Sequence, residues 1–266
     1  MTVIVSWNIQ NGKGVDGKIS LERIASVIRA MADPDVICLQ EISRNLALDD
    51  SARKPDQIAE LRALFPGYAV SFGAAVETGD ALGNWQFGNA TLSRLPVLSV
   101  FRHALPQPAQ PGIRHMPRIA IESNLTTPTG PLRIVNTHLE YHSAAQRLAQ
   151  IGRIVEIDRE VLANREQPPA FPAAGPYVDV GRAAPTVTCG DFNMQPYSDE
   201  YRKMLAPAPG HPGLRDAWAV LHPDAPHDPT CGVHDHVQWT EGAHCRDFFF
   251  VTEHLAGSVR RISVDI

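Results

Sequence analysis

Five polar stretches end or open apolar runs in this chain, and their side chains could do chemistry together. "SWNIQNG" closes one run with Asn8 and Gln10, and "CLQE" closes another with Gln40 and Glu41. "VNTHLE" supplies Asn136, His138 and Glu140; "TCGDFN" supplies Asp191 and Asn193; "CRDFFF" opens a run with Asp247. Ligands in layered α/β proteins bind where strand ends and their loops converge, so these stretches point to one polar site. Carboxylate and amide oxygens are hard ligands, suited to Mg2+ or Mn2+ rather than zinc. Mg2+ takes one or two carboxylates and keeps several waters, which leaves room for a phosphate oxygen. Glu41 is the best candidate ligand. Asp191 and Asn193 alternate with Phe192, so in an extended segment both face one side. One would orient or deprotonate a water, and the other would hold that water or a phosphate oxygen. No Ser or Cys sits in a nucleophile-elbow context, which favours direct attack by water over a covalent intermediate.

Taken singly, each residue has a plainer reading. Asn8 or Asp191 after a strand is ordinarily a turn residue or cap, and Glu41 an exposed loop carboxylate. His138 alone is a satisfied rim or core histidine, and Asp247 a cap on a buried strand. It is the order of these pieces along the chain that outweighs the plain readings.

The elements that must position them are legible. Strands are predicted over 2–7, 35–40, 68–73, 88–93, 97–103, 118–123, 132–139, 184–190, 246–252 and 259–264, each bounded by Gly, Pro, Asn or Asp. Helical periodicity predicts helices over 20–32, 56–65 and 143–165. Ser20 is a cap, and Ser143 with Gln146 forms a capping-box pattern. Strands and helices interleave from end to end, which argues for one α/β domain over 1–266 with two sheets and outer helices. The Pro-rich stretch 166–185 reads as a long loop, not a domain boundary.

Composition narrows the class. The chain has 266 residues, 44% of them hydrophobic, enough for a large core. It has no apolar run long enough to span a membrane, and "MTVIVSWN" reads as a first strand rather than a targeting peptide, so a cytoplasmic location is expected. A net charge of −5 gives no global basic field for duplex DNA, though Arg114, Arg118, Arg147 and Arg153 could form a local patch. The four cysteines have no zinc-ribbon spacing, and Cys38 and Cys189, inside apolar runs, read as reduced core residues. A zinc site built on the late histidines 222, 227, 234, 236 and 244 matches no familiar spacing.

In order and spacing, "SWNIQNG", "DPDVICLQE", "GNATLSRLPV", "RIVNTHLEYHS", "VTCGDFNMQP" and "CRDFFFVTEHL" resemble the endonuclease/exonuclease/phosphatase (deoxyribonuclease-like) superfamily over residues 6–255. The resemblance implies a four-layer α/β sandwich, two packed, mostly antiparallel sheets flanked by helices. It implies a Mg2+- or Mn2+-dependent hydrolase of a phosphodiester or phosphomonoester. Glu41 then matches the main metal-binding glutamate, Asn8 the asparagine that helps hold the metal, and Asp247 a position linked to the metal network. Asp191 matches the aspartate that activates water, Asn193 the asparagine that contacts the scissile phosphate, and His138 a histidine that contacts the phosphate or acts as an acid. Arg118 falls where a phosphate-binding arginine occurs in one branch, and Asn136 and Asn89 lie in matching segments as candidate substrate contacts.

Two departures stand out. The family's Ser-Asp-His motif should follow the position of Asp247, but "VRRISVDI" carries none; "HDH" at 234–236 stands on the wrong side of Asp247. A chain without that strand is expected to bind metal with turnover reduced ~10²–10⁴-fold. Gln10 stands where related enzymes often have an aspartate, which favours one tightly held ion. The substrate is open among a small phosphodiester, a phospholipid headgroup and a nucleic acid. The stretch "ETGDALGNWQFGN" reads as an acidic loop in which Trp85 and Phe87 could stack on a ligand. A non-catalytic phosphate-ligand-binding protein that keeps the fold is the alternative.

Overall fold

The computed structural model describes residues 1–47, 55–80, 83–168 and 175–265. The strands are β1 (Ile4–Asn8), β2 (Val36–Arg44), β3 (Ala69–Asp80), β4 (Gly83–Ser93), β5 (Val97–Ala104), β6 (Ile119–Thr127), β7 (Gly130–His138), β8 (Thr186–Asp191), β9 (Leu214–Asp216) and β10 (Asp247–Thr252). The helices are α1 (Leu21–Met31), α2 (Gln57–Leu64), α3 (Ala144–Glu166), α4 (Asp199–Leu205), α5 (Ala217–Leu221) and α6 (Glu253–Ala256). One sheet runs β1-β2-β4-β3 and the other β5-β6-β7-β8-β10-β9. Among the described residues, β1/β2 and β7/β8 pair in parallel and the other strand pairings are antiparallel. The expected α/β sandwich of two mostly antiparallel sheets flanked by helices is what forms.

The strands are apolar on both faces because both faces are covered. Leu39, Ile42 and Leu92 join Ile24, Ile28 and Leu61 of α1 and α2 in one core cluster. Val135, Phe248 and Phe250 join Ile151 and Ile154 of α3 in a second. Between the sheets, Val36 and Cys38 of β2 meet Ile134, Val187 and Cys189. Polar side chains also cross this seam. The buried Gln40 Nε2 donates to Asn136 Oδ1 at 2.8 Å, and Asn136 Nδ2 donates to the Ala90 carbonyl at 2.9 Å.

The helix starts follow their caps. Ser20 Oγ accepts from Arg23 N, Ser143 Oγ from Gln146 N, and Asp56 Oδ1 from Ile58 N and Ala59 N. Only half of the expected capping box forms at α3: Gln146 Nε2 donates to the Pro108 carbonyl, and its Oε1 takes no bond from the Ser143 N–H. Below α3 lies a buried ionic network. Arg133 pairs with Asp158 of that helix, and Glu122 takes both Arg182 and His103.

Three expectations need correction. Residues 259–264 form no strand; Val259 and Ile262 pack against the inter-sheet cluster without a ladder, so their apolar spacing reflects contact rather than pairing. Strand β9 went unforeseen because three residues are too few to show alternation. The stretch holding Trp85 and Phe87 is not a loop but the paired ribbon of β3 and β4, with 81–82 outside the described residues.

Candidate active site

The parallel pairings place the strand ends together. Asn8 is in register with Gln40 at the ends of β1 and β2, and His138 with Asp191 at the ends of β7 and β8. Strand β10 runs the other way, so its first residue, Asp247, stands opposite Asp191.

Local backbone then aims the side chains. The β2/β4 ladder slips between Leu39 and Ile42, and Glu41 sits in that slip with φ 59°. A bulge of this kind turns a side chain off the strand's alternation, and a left-handed glutamate is a cost the surrounding structure must hold in place. Asn193 also has φ 50°, beyond the end of β8. It therefore faces the site through a turn and not through simple alternation. Its N–H closes that turn on Asp191 Oδ1 at 2.9 Å, while Phe192 between them is fully buried. Gly190 is the remaining local requirement. Its φ is 138°, and a Cβ there would lie 1.8 Å from the Thr137 carbonyl oxygen.

One amide joins the two sheets at the site. Asn8 Nδ2 donates to Glu41 Oε1 and to Asp191 Oδ2, each at 3.0 Å. His138 Nε2 lies 3.5 Å from Asp191 Oδ2, and its Nδ1 4.0 Å from Glu41 Oε1. Asn193 Nδ2 donates to the Leu139 carbonyl and to His138 Nε2, both at 3.0 Å. An accepting Nε2 assigns the imidazole proton to Nδ1. Arg118 Nε donates to Glu140 Oε2 at 3.3 Å, and all of these groups except Leu139 line one cavity.

The electrostatics are those of an acidic cluster short of cations. Burial raises the Glu41 carboxyl above its usual range, with Asp191 adding to the rise. Burial likewise raises Asp191, against the hydrogen bonds from Asn8 and the Asn193 N–H. Loss of water and then the charge of Asp191 push Asp247 well up, although Thr230 Oγ1 donates to its Oδ2 at 2.6 Å. His138 is driven well down by burial and by Arg118, so it is neutral.

These residues fit a hard divalent cation. Among the described residues, no group of three or more His, Cys, Asp or Glu side chains forms a metal cage. Two carboxylates with raised proton affinity beside an amide are, however, the donor set Mg2+ uses when it keeps waters. The late histidines do not converge on a zinc site. His227 is bound to Asp216, and His234 and His236 are exposed on the rim.

Thus Asn8, Glu41, His138, Asp191, Asn193, Asp247 and Arg118 come together, and two candidates do not. Asn136 is fully buried between the sheets, and Asn89 is buried with its Nδ2 donating to the Ile119 carbonyl at 3.2 Å; neither lines the cavity. Their side chains bond across the two sheets. The basic patch does not form either, because Arg147 pairs with Glu200 and Arg153 with Glu156 and Glu160. Arg246 escaped notice in the sequence. It directly precedes Asp247 and packs against the neighbouring rings of Tyr141 and Trp239, 5.3 and 4.5 Å from their centroids. The one visible signal was an arginine set against a polar strand start.

The family profile described as "Endonuclease/Exonuclease/phosphatase family" matches residues 5–262. The chain belongs to the endonuclease/exonuclease/phosphatase family. Members of this family are generally hydrolases of phosphate esters. Among solved structures, it resembles an endonuclease/exonuclease/phosphatase from Beutenbergia cavernae DSM 12333, with 25% identity and a TM-score of 0.63 over 95% of this chain. The chain spans 64% of that protein's length. The human Nocturnin catalytic domain with bound sulfate anion is 18% identical, with a TM-score of 0.61 over 95% of this chain and 82% of the other. A Bacteroides thetaiotaomicron VPI-5482 mannosyl-6-phosphatase is also 18% identical, with a TM-score of 0.62 over 95% of this chain and 86% of the other. These last two likenesses are of fold. No curated protein matches the chain by sequence. No helix among the described residues is long and apolar enough to cross a membrane.

Proposed function

We propose that the chain, acting as one domain over residues 1–266, hydrolyses a phosphodiester or phosphomonoester by metal-assisted attack of water. The observation that carries this reading is the pairing of Glu41 and Asp191, one from each sheet, on a single Asn8 amide nitrogen at 3.0 Å. Two half-desolvated carboxylates held together are unfavourable unless a cation joins them. Glu41 and the Asn8 side chain would hold Mg2+ or Mn2+, with Asp247 behind Asp191. Such an ion supplies Lewis-acid polarisation of a phosphate oxygen when bound.

The chain's own groups do the rest. Asp191 Oδ2 takes the proton of the attacking water; burial makes it a stronger base than an exposed aspartate. Neutral His138 steadies Asn193 through Nε2 and keeps Nδ1–H as a donor toward the site. Asn193 holds the turn beside the reacting phosphate. Arg118, whose Nε is fixed by Glu140 and which lines the cavity, would meet the charge that builds on the phosphate oxygens. Free cysteines at 38, 189, 231 and 245 fit a reducing, cytoplasmic setting. The negative net charge favours a small phosphodiester or headgroup over duplex DNA.

The test is hydrolysis of bis-p-nitrophenyl phosphate and p-nitrophenyl phosphate by metal-stripped protein, before and after addition of Mg2+ or Mn2+. Turnover that appears only with the ion supports the reading. Ion binding by calorimetry without turnover of either ester, or of any phosphodiester in a wider panel, would leave a ligand-binding protein instead.

A further inference from the structure

A second cavity opens beside the first across Arg246 and Asn193. It measures about 380 Å3, and its walls include His142, Gln195 and Ser198. Arg147 and Glu200 also line it, but they are spent on each other, and Arg147 Nη1 further donates to the Glu140 and Tyr141 carbonyls. Donors remain in the recess beside Arg246. Ser198 Oγ accepts from Tyr201 N, which leaves its O–H to donate, and the Gln195 amide is exposed.

Arg246 is the cation at this junction, and one hydrogen bond and two rings hold it. Its Nε donates to His244 Nε2 at 2.7 Å, and His244 Nδ1 is anchored on the Gly242 carbonyl at 2.7 Å. Its guanidinium also packs against Trp239 and Tyr141, neighbouring rings whose centroids are 5.9 Å apart. Its terminal nitrogens are only loosely used, Nη1 at 3.4 Å from Asn193 Oδ1 and Nη2 at 3.4 Å from the half-exposed Glu241. A guanidinium carries five N–H groups, so two remain without a partner among the described residues. A planar cation tied through Nε and packed against two rings, with unspent donors at the edge of the recess, suits bidentate capture of an anion.

Asn193 cannot do this itself, since both of its amide hydrogens are committed to Leu139 and His138. Arg118 sits on the other flank, tied to Glu140.

We propose that the recess is a second anion subsite, with Arg246 as its specificity-determining residue, and that the substrate carries a second phosphate-type group beside the ester that is cleaved. This rests on the phosphoesterase reading for turnover but not for binding. A charge-assisted pair of this kind changes affinity or rate on the order of tenfold to a hundredfold.

The experiment compares the p-nitrophenyl ester of a nucleoside monophosphate with the same ester bearing a second phosphate on the sugar, in Mn2+. Binding of adenosine monophosphate and adenosine bisphosphate is followed in parallel by quenching of Trp fluorescence, which Trp239 on Arg246 should report. The doubly phosphorylated ligand should win about tenfold or more in kcat/KM and in affinity, and Arg246→Gln should erase that ratio. Arg246→Lys should restore part of it, and Ser198→Ala should narrow it; these variants keep the test open if Arg246→Gln does not fold. Equal binding of the two nucleotides overturns the subsite. A preference unchanged in a folded Arg246→Gln overturns the assignment to Arg246. A preference in binding with no turnover of any ester supports the subsite and counts against the phosphoesterase reading.

Discussion

Asp191 and Asp247 stand directly opposite each other across the β8/β10 ladder, and each carboxyl is raised above its usual range. Burial is the largest cause in both, and for Asp247 the charge of Asp191 comes next. A pairing of like charges in a half-closed site opposes folding, so it is kept for what it does and not for stability. Asp191→Asn should therefore raise the metal-free protein's stability modestly, by about 1 kcal/mol, as the repulsion is relieved. The same variant should bind Mn2+ but lose ~10²–10⁴ in turnover, because the proton acceptor is gone. Urea melts and p-nitrophenyl ester hydrolysis measure the two effects. Full turnover in this variant would remove Asp191 from the reaction.

Glu41→Gln should behave differently. The amide keeps the size of the side chain and still accepts from Asn8 Nδ2, so the fold should survive. What it loses is the main charged oxygen for the ion. Calorimetric affinity for Mg2+ should fall by at least tenfold, and turnover should recover in part at high Mn2+. Unchanged ion affinity would show that the cation is held elsewhere.

How much of this was visible beforehand differs from residue to residue. Asn8, His138 and Asp191 were legible because strand ends in parallel pairs must converge, and the polar residue after each apolar run marks such an end. The exact aim of Glu41 was not, since a slip in the ladder is invisible in a run that reads simply as "VICLQEIS". The placement of Asn136 was hidden for the opposite reason. A polar residue late in an apolar strand looks the same whether it faces a ligand or a buried seam, and only the facing sheet decides. Arg246 was hidden because its role depends on Tyr141 and Trp239, which come from distant loops. Strand β9 and helices α4, α5 and α6 are too short for periodicity to declare itself.

The reassignment of Asn136 is itself testable. Its side chain accepts from Gln40 and donates to Ala90 with no exposure to solvent. Asn136→Ala takes its side-chain donor from the Ala90 carbonyl and leaves Gln40 Nε2 only its longer bonds to Ser6 Oγ and the Cys38 carbonyl, which costs about 1–3 kcal/mol. The loss should appear in the urea midpoint, with KM for any ester unchanged. A variant of full stability with a raised KM would return Asn136 to the substrate.

The buried network far from the carboxylate pair predicts an acid limit. Loss of water alone would push the Glu122 carboxyl up, but Arg182, His103, Arg133 and Asn124 together outweigh it and hold it well below the usual carboxylate range. Its folded pKa is thus depressed. The stability it contributes is fully present above the unfolded value of about 4.5 and drains away as pH falls from there toward the folded value. Glu122→Gln should cost about 3–5 kcal/mol at neutral pH, because Arg133 is left buried with Asp158 as its remaining carboxylate. The gap between the two proteins should then narrow as pH drops from 5 to 3, since protonation does to the parent what the substitution has already done to the variant. Urea unfolding at several pH values reads this directly. Parallel stability curves over that range would mean that Glu122 does not titrate with folding and that Arg133 finds its compensation elsewhere.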